Sequence, residues 1–124
     1  MAMDTVGLML DNSEHLAELA KQSIKDSLEN SANTYHELVS GFMEFHRNDV
    51  GLPVAKSLFP DVDISLLSYE IMVDYLKLKR FGSILDEGQQ LIIIDLSFNP
   101  LITDELMVVY FNKNQEIVCI AHES

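Results

Sequence analysis

The sequence predicts an α+β fold, with two or three N-terminal helices packed on a C-terminal antiparallel meander of four strands. Apolar residues recur at helical spacing up to about residue 80, and the period then changes to two. The connections between the predicted strands are short, which favours antiparallel neighbours. Helices followed by strands are typical of the segregated α+β class. We therefore expect a single domain over residues 1–124, mainly helical in 12–80 and mainly β in 81–124.

The first two helices are predicted from their apolar stripes. The first covers residues 13–30, and its stripe consists of Leu16, Leu19, Ala20, Ile24 and Leu28. The second opens with Thr34 and Glu37 at the spacing of a capping box and is expected to end near Arg47. Its stripe consists of Tyr35, Leu38, Val39, Phe42, Met43 and either Phe45 or His46. The methionine and aromatic residues of the helical half are expected to form the helix–sheet core, and the alternative is that they line a binding groove. They are Tyr35, Phe42, Met43, Phe45, Met72 and Tyr75.

A short turn and a third helix complete the helical half. Residues 53–59 predict a helical turn, and Asp61 or Asp63 is placed to cap the helix that follows. The apolar stripe of this third helix consists of Ile64, Leu67, Ile71, Tyr75 and Leu78. Three cations cluster at its predicted end, where they would complement the helix dipole: Lys77, Lys79 and Arg80.

Four strands are predicted, at residues 80–85, 91–94, 105–112 and 116–121. Residues 86–89 carry a hairpin signal, and an asparagine in the turn at 112–115 is able to adopt positive φ. The continuous apolar run at 91–94 is typical of a central strand with both faces covered. Alternation in the third strand predicts one face with Met107, Val109 and Phe111, and another with Leu106, Val108 and Tyr110.

The net charge of the chain limits the classes of partner that it is expected to bind. Twenty Asp and Glu face eight Lys and Arg, for a formal net charge of -12. Nucleic acid is an unsuitable ligand because phosphate binding needs clustered cations, and an anionic membrane surface is disfavoured for the same reason. A basic protein partner would be attracted, mainly through faster encounter. The alternative is that the acidity only keeps the protein in solution.

Cysteine usage and the first residues favour a cytoplasmic protein. One cysteine excludes an internal disulfide framework, which fits a reducing compartment. Residues 1–4 lack a positive region, and the apolar run at 6–10 is too short for a signal peptide or a membrane span.

Two metal-site motifs begin in the sequence, and neither is complete. His36 opens the first half of a zinc-protease helix motif, but Ser40 replaces the second histidine. A calcium-loop pattern opens at Asp61, but its sixth position is Leu66 and its twelfth is Met72. The four histidines are scattered, and the five glycines form no phosphate-binding loop. We predict no cofactor and no metal site.

Two further pairs of residues suggest chemistry near the end of the chain. Cys119 and His122 resemble a nucleophile and its base, but residues three apart on a strand point to opposite faces, so Cys119 is predicted to be a buried structural thiol. Asp104 and Glu105 are adjacent carboxylates before a strand. They suit acid–base catalysis, or simply a turn and a solvated start of a strand.

Residues 91–124 contain the most specific sequence pattern of the chain. This segment contains Ile102-Thr103-Asp104-Glu105-Leu106, continues Val108-Val109-Tyr110-Phe111 and closes in Glu-Ser. It resembles a small bacterial domain family of unknown function, in which an I-T-D-x-L-x-V-x-F stretch precedes a final hairpin ending in Glu-Ser. The likeness covers the last third to half of the chain, implies the α+β architecture and transfers no catalytic residue. In size and acidity the chain is also similar to immunity proteins that neutralise toxins in bacterial competition.

The leading hypothesis is a non-enzymatic protein-binding module with a basic partner, such as a toxin that an immunity protein neutralises. The carboxylates expected to steer and contact that partner are Asp86, Glu87, Asp95, Asp104, Glu105 and Glu116. A second hypothesis is a small metal-dependent hydrolase that uses Asp104, Glu105 and His122. A third is a homo-oligomerising module that pairs through an edge strand at 80–85 or 116–121.

Overall fold

The structure, a computed structural model, describes the backbone of residues 2–124 and the side chains of residues 13–124. The helices are α1 (Ala2–Glu29), α2 (His36–Glu44), α3 (Leu52–Leu58) and α4 (Tyr69–Val73). The strands are β1 (Lys77–Asp86), β2 (Gln89–Ser97), β3 (Leu106–Phe111) and β4 (Ile117–Glu123). Helices precede strands, and the predicted α+β class is confirmed.

Helix α1 packs on the core through the predicted stripe. It begins at Ala2, well before the predicted start at residue 13, and the run at 6–10 lies within it, with side chains outside the described part. Leu16, Ala20 and Ile24 are buried, whereas Leu19 lies at the rim of the stripe and is partly exposed. Among the described residues, no helix combines the length and the apolar character that a membrane crossing requires.

Helix α2 begins differently from the prediction. Its N-cap is Tyr35, which makes no side-chain capping bond, so the predicted capping box of Thr34 and Glu37 is wrong. The preceding turn is held instead by Asn33, whose Oδ1 accepts a hydrogen bond from the Tyr35 amide at 2.8 Å. After Glu44 the helix continues as a π-helical segment, Phe45–Asp49.

The third helix is interrupted, and the prediction of one helix up to residue 78 is wrong. A 3₁₀ turn, Ile64–Leu66, is capped by Asp63, as predicted, through a 3.0 Å bond from the Ser65 amide. The chain is then extended at Leu67, and α4 starts after Ser68, whose hydroxyl accepts from the Ile71 amide. Strand pairing takes over from residue 77, so the three clustered cations lie on β1 and not at a helix end.

The sheet is the predicted meander. Its order is β1-β2-β3-β4, every neighbouring pair is antiparallel, and β1 and β4 form the two edges. Glu87 and Gly88 have φ of 50° and 80°, as a type I′ hairpin requires. In the β3–β4 turn the positive φ falls on Gln115 and not on an asparagine. Asn112 instead ties this turn, since its Oδ1 accepts from the amides of residues 114 and 116.

The helices cover one face of the sheet. As predicted, Met107, Val109 and Phe111 share that face and belong to the main core cluster. Phe42, Met43 and Met72 of the helical half are fully buried in the same cluster, Tyr35 and Tyr75 pack at its margin, and Phe45 is half-buried. The opposite, outer face carries Leu106, Val108 and Tyr110.

A meander has two distinct ends. The β1–β2 and β3–β4 turns share one end, which we call the turn end (residues 86–89 and 112–116). A cavity of about 540 Å³ is lined by residues of both turns and shows that they are neighbours. The β2–β3 connection, residues 98–105, lies at the opposite end, which we call the loop end.

Candidate functional site

The six carboxylates predicted to contact a partner do not form one surface. Asp86, Glu87 and Glu116 lie at the turn end, whereas Asp104 and Glu105 lie at the loop end. Since β3 has six residues and a strand rises about 3.3 Å per residue, the two groups are separated by roughly 20 Å.

Asp95 belongs to neither group. It lies on the outer face of the sheet, where only 4% of its surface is exposed, so its prediction as an exposed contact is wrong. Arg80 on the neighbouring strand donates from Nε to Asp95 Oδ2 at 2.8 Å. Asp95 therefore acts as the buried partner of a cation within the chain.

The loop end is tied to the helical half by a buried histidine. His46 is fully buried, and its Nδ1 lies 2.9 Å from the carbonyl oxygen of Phe42. A carbonyl oxygen only accepts, so Nδ1 carries the proton and the neutral ring accepts at Nε2. Thr103 lies 3.0 Å from Nε2 and donates its hydroxyl there, while the same oxygen accepts from the Glu105 amide at 3.2 Å.

The position of His46 follows from the helical stripe of α2. Val39, Phe42 and Met43 form the buried side of α2, and His46 is one turn beyond. Its ring centroid lies 4.5 Å from that of Phe42 and 5.0 Å from that of Phe98. The sequence left open whether Phe45 or His46 continues this stripe. The structure places His46 on it, at the i+7 position from Val39, and leaves Phe45 half-buried.

A second histidine reaches the same cluster from β4. His122 Nε2 lies 2.8 Å from Glu105 Oε2, and its ring meets Phe42 edge-on with centroids 5.1 Å apart. Of the predicted hydrolytic set, the structure therefore brings together Glu105 and His122. Asp104 is exposed, and no described bond joins it to either of them.

Cys119 is separated from His122, as predicted, but it is not a buried thiol. A bulge in β4 places Ile117 opposite Phe111, on the helix-facing side, and Cys119 opposite Tyr110, on the outer face. Cys119 is consequently half-exposed. The sequence prediction failed here because the alternation was carried through the bulge, which shifts the register by one residue.

The connection at the loop end forms a hydrogen-bonded turn. The Asn99 carbonyl oxygen accepts from the amides of Ile102 and Thr103, both at 3.0 Å, and Asn99 Oδ1 accepts from the Leu101 amide at 3.0 Å. On this turn Leu101 is 94% exposed and Ile102 is 38% exposed. The turn therefore exposes two apolar side chains to solvent, three and two residues before Asp104.

In the part of the chain whose side chains are described, the cavities lie away from Glu105 and His122. Among the residues with described side chains, no group of three His, Cys, Asp or Glu is arranged to hold a metal ion. The largest described cavity, about 770 Å³, is lined by Arg47 and Lys56, with Asp63 in the same wall. Another, of about 430 Å³, lies between α1 and the first two strands. Neither cavity is lined by Glu105 or His122.

The burial of His46 makes stability depend on pH. Burial lowers the pKa of His46 below its ordinary 6.5, and this loss of solvation outweighs the opposing effects of the Phe42 carbonyl and of Glu105. Below pH 6.5 the unfolded chain therefore binds more protons than the folded chain, and the free energy of unfolding decreases as the pH is lowered, until the folded-state pKa is reached. We expect a decrease of up to about 1.4 kcal/mol per pH unit across that window.

Urea denaturation of wild type and His46→Gln between about pH 7.5 and pH 5 measures this dependence. In His46→Gln the free energy of unfolding should no longer decrease as the pH is lowered through this range, whatever the stability of the variant at neutral pH. The control is His15→Gln, since His15 is exposed and its replacement should leave the slope intact. An equal slope in wild type and His46→Gln would show that another group is responsible.

Both ends of the sheet expose carboxylates and a leucine, and they differ in how the turn that carries them is anchored. The loop end combines Leu101 and Ile102 with Asp104 and Glu105 on a turn anchored to His46. The turn end carries exposed carboxylates on two hairpin turns. Comparisons of the chain with protein-family models, with curated proteins and with solved structures found no match.

Proposed function

We propose that this chain is a non-enzymatic binding protein for a basic protein partner, and that the loop end makes the contact. The observation that supports this is Leu101, 94% exposed on a turn held by hydrogen bonds that Asn99 accepts and by the Thr103–His46 bond. Binding residues are often found on loops that a rigid scaffold positions. A turn whose backbone is already held in place loses little backbone freedom when a partner covers it.

The charge distribution supports a cationic partner. Among the described side chains, the ion pairs between Lys or Arg and carboxylates are Lys25–Asp74 and Arg80–Asp95, which leaves an excess of carboxylates in a chain of net charge -12. Such an excess steers a basic protein into encounter, and salt weakens the effect. Leu101 and Ile102 would then supply apolar contact while Asp104 and Glu105 supply complementary charge.

A narrower form of the proposal is an immunity protein in the cytoplasm. Toxic nucleases need cationic surfaces to bind phosphate, and an acidic protein that covers such a surface would block it. The small size and the acidity of the chain are consistent with this role.

The test uses two matched pairs of substitutions. The loop-end variant is Leu101→Ser with Asp104→Asn, and the control is Leu66→Ser with Asp61→Asn in the helical half, which removes an apolar side chain of 74% exposure and one charge. Immobilised wild type is used to retain protein from lysate at low salt. The retained protein is identified and its affinity is measured. We expect the loop-end variant to bind at least about 10-fold more weakly, a loss of about 1.4 kcal/mol.

The control should bind as wild type does, and added salt should weaken binding in both. Equal binding by the loop-end variant, or a loss confined to the control, would contradict the proposed surface. Retention that does not respond to salt would contradict electrostatic steering.

A second candidate function is the small metal-dependent hydrolase. The contact of Glu105 with His122 favours it, because a carboxylate that orients an imidazole is the usual support for a general base. The discriminating measurements are metal analysis of the purified protein and hydrolysis assays of wild type against His122→Asn. Stoichiometric zinc or manganese, with turnover lost in His122→Asn, would support the hydrolase. A metal-free protein in which the variant changes no rate would contradict it.

A further inference from the structure

Residues 81–85 of β1 form a regular, uncharged stretch of edge, with Arg80 before it and Asp86 after it. Within the sheet β1 pairs with β2 on one side only, and its irregularity, between Leu78 and Arg80, lies in its first half. From there the register is continuous up to Asp86. Two apolar side chains in this stretch are exposed, Ile84 by 43% and Leu85 by 77%. An edge of this kind presents N–H and C=O groups with which a strand of another chain can pair.

We propose that two copies of this chain associate through β1, antiparallel, about a twofold axis at Ser83, to form one eight-stranded sheet. Opposing residues of antiparallel strands share a face, so the axis must pass through a residue and not between two residues. This inference goes beyond the proposed function, because the loop end of each copy stays free for a partner.

Charge selects the position of the axis. With the axis at Ser83, Arg80 of one copy lies opposite Asp86 of the other, and Lys79 lies near Glu87. Each of these contacts occurs twice. Moving the axis by one residue in either direction removes the opposition of Arg80 and Asp86. Opposite charges directly across a strand pair stabilise it, whereas like charges destabilise it.

The shape of the sheet surface at Gly82 also favours the register with the axis at Ser83. Gly82 of one copy lies opposite Ile84 of the other on the outer face, and the position that a Cβ of Gly82 would take has nothing within 4 Å. A groove of about 190 Å³ runs over Gly82 and is lined by Ile93. The second copy's Ile84 is placed to fill this groove. On the helix-facing side the register sets Leu85 against the half-buried Phe81.

Sedimentation equilibrium tests the association. Wild type is expected to be a dimer, and Ile84→Asp is expected to raise the dimer dissociation constant at least about 10-fold. Leu101→Asp is the matched control, since it places the same charge on an exposed leucine at the opposite end of the sheet. A wild type that stays monomeric at the highest attainable concentration would overturn the proposal. So would equal weakening by the two variants.

Cysteine cross-linking tests the register. In a Cys119→Ser background, Ser83→Cys should oxidise to a covalent dimer, because two opposing residues fall within the Cα separation that a disulfide spans. Leu85→Cys is the control. Its own copies lie four residues apart along the pair, roughly 13 Å, beyond disulfide reach. Equal cross-linking at both positions, or cross-linking only at residue 85, would overturn the axis at Ser83.

A charge exchange provides a third measurement. Lys79→Glu alone and Glu87→Lys alone should each weaken the dimer, while the double exchange should restore it at unchanged net charge. Both residues are exposed and make no described ion pair, so folding of the monomer should be preserved. Additive weakening in the double variant would contradict the paired charges.

Discussion

Replacing Phe42 with alanine is expected to lower the free energy of unfolding by about 3–5 kcal/mol. Phe42 is fully buried, and its ring contacts His46, Phe98 and His122, with centroids 4.5, 5.6 and 5.1 Å away. The substitution removes apolar contacts from three elements at once and leaves a cavity that they cannot all close. Since domains of this size are stable by about 5–15 kcal/mol, the loss is a large share of the total.

Urea denaturation monitored by circular dichroism measures this effect, with Phe45→Ala as the control. Phe45 is half-buried on the next turn, so its loss should cost clearly less. Phe42→Leu should fall between the two because it refills part of the cavity. A loss below about 1 kcal/mol for Phe42→Ala would show that the aromatic cluster is not packed as described.

The second large effect concerns the outer face of the sheet. Arg80→Met should cost about 2 kcal/mol, because it leaves the buried carboxylate of Asp95 without its cation. This value lies below the usual 3–5 kcal/mol for breaking a buried pair. The Arg80 side chain is 73% exposed, so solvent already weakens the interaction and replaces part of it.

A double-mutant cycle isolates the pair. Asp95→Asn in the Arg80→Met background should recover about 1 kcal/mol, since no uncompensated charge then remains. Lys79→Met, which removes a neighbouring exposed cation, is the control and should change stability little. Every variant of the series is measured in the Ile84→Asp background, in which the proposed dimer is weakened, so that self-association does not contribute. Additive losses in the double variant would show that Arg80 and Asp95 do not interact.

The sheet was predictable because its signals are local. Alternation placed Met107, Val109 and Phe111 on one face, and the signal at residues 86–89 gave the hairpin turn. Pairing between strands that follow each other in the chain requires no long-range information. The errors fall where tertiary pairing overrides a local pattern, as at residue 77, where strand β1 ends what reads as a continuing helical stripe.

The candidate site was only partly predictable. Glu105 and His122 were predicted to act in one hydrolytic set with Asp104, but which of the three are in contact depends on the register of β3 with β4, in which Leu106 pairs with Glu123 and Met107 with His122. Asp95 was misread because a carboxylate on a strand is usually solvated, and nothing in the sequence indicated that Arg80 would lie across from it. The exposure of Leu101 depends on the hydrogen bonds that fix the turn at the loop end, and the pattern of apolar residues does not indicate these bonds.

The meander also bears on the order in which the protein folds. The β1–β2 pairs close from Asp86 and Gln89 outward, so this hairpin forms with little loop-closure entropy, and the β3–β4 hairpin does likewise. The bond between His46 and Thr103, in contrast, spans 57 positions of the chain. We expect the two hairpins to be established early and the helical half to lock onto the loop end late. Substitutions at His46 should then accelerate unfolding while leaving the refolding rate nearly unchanged.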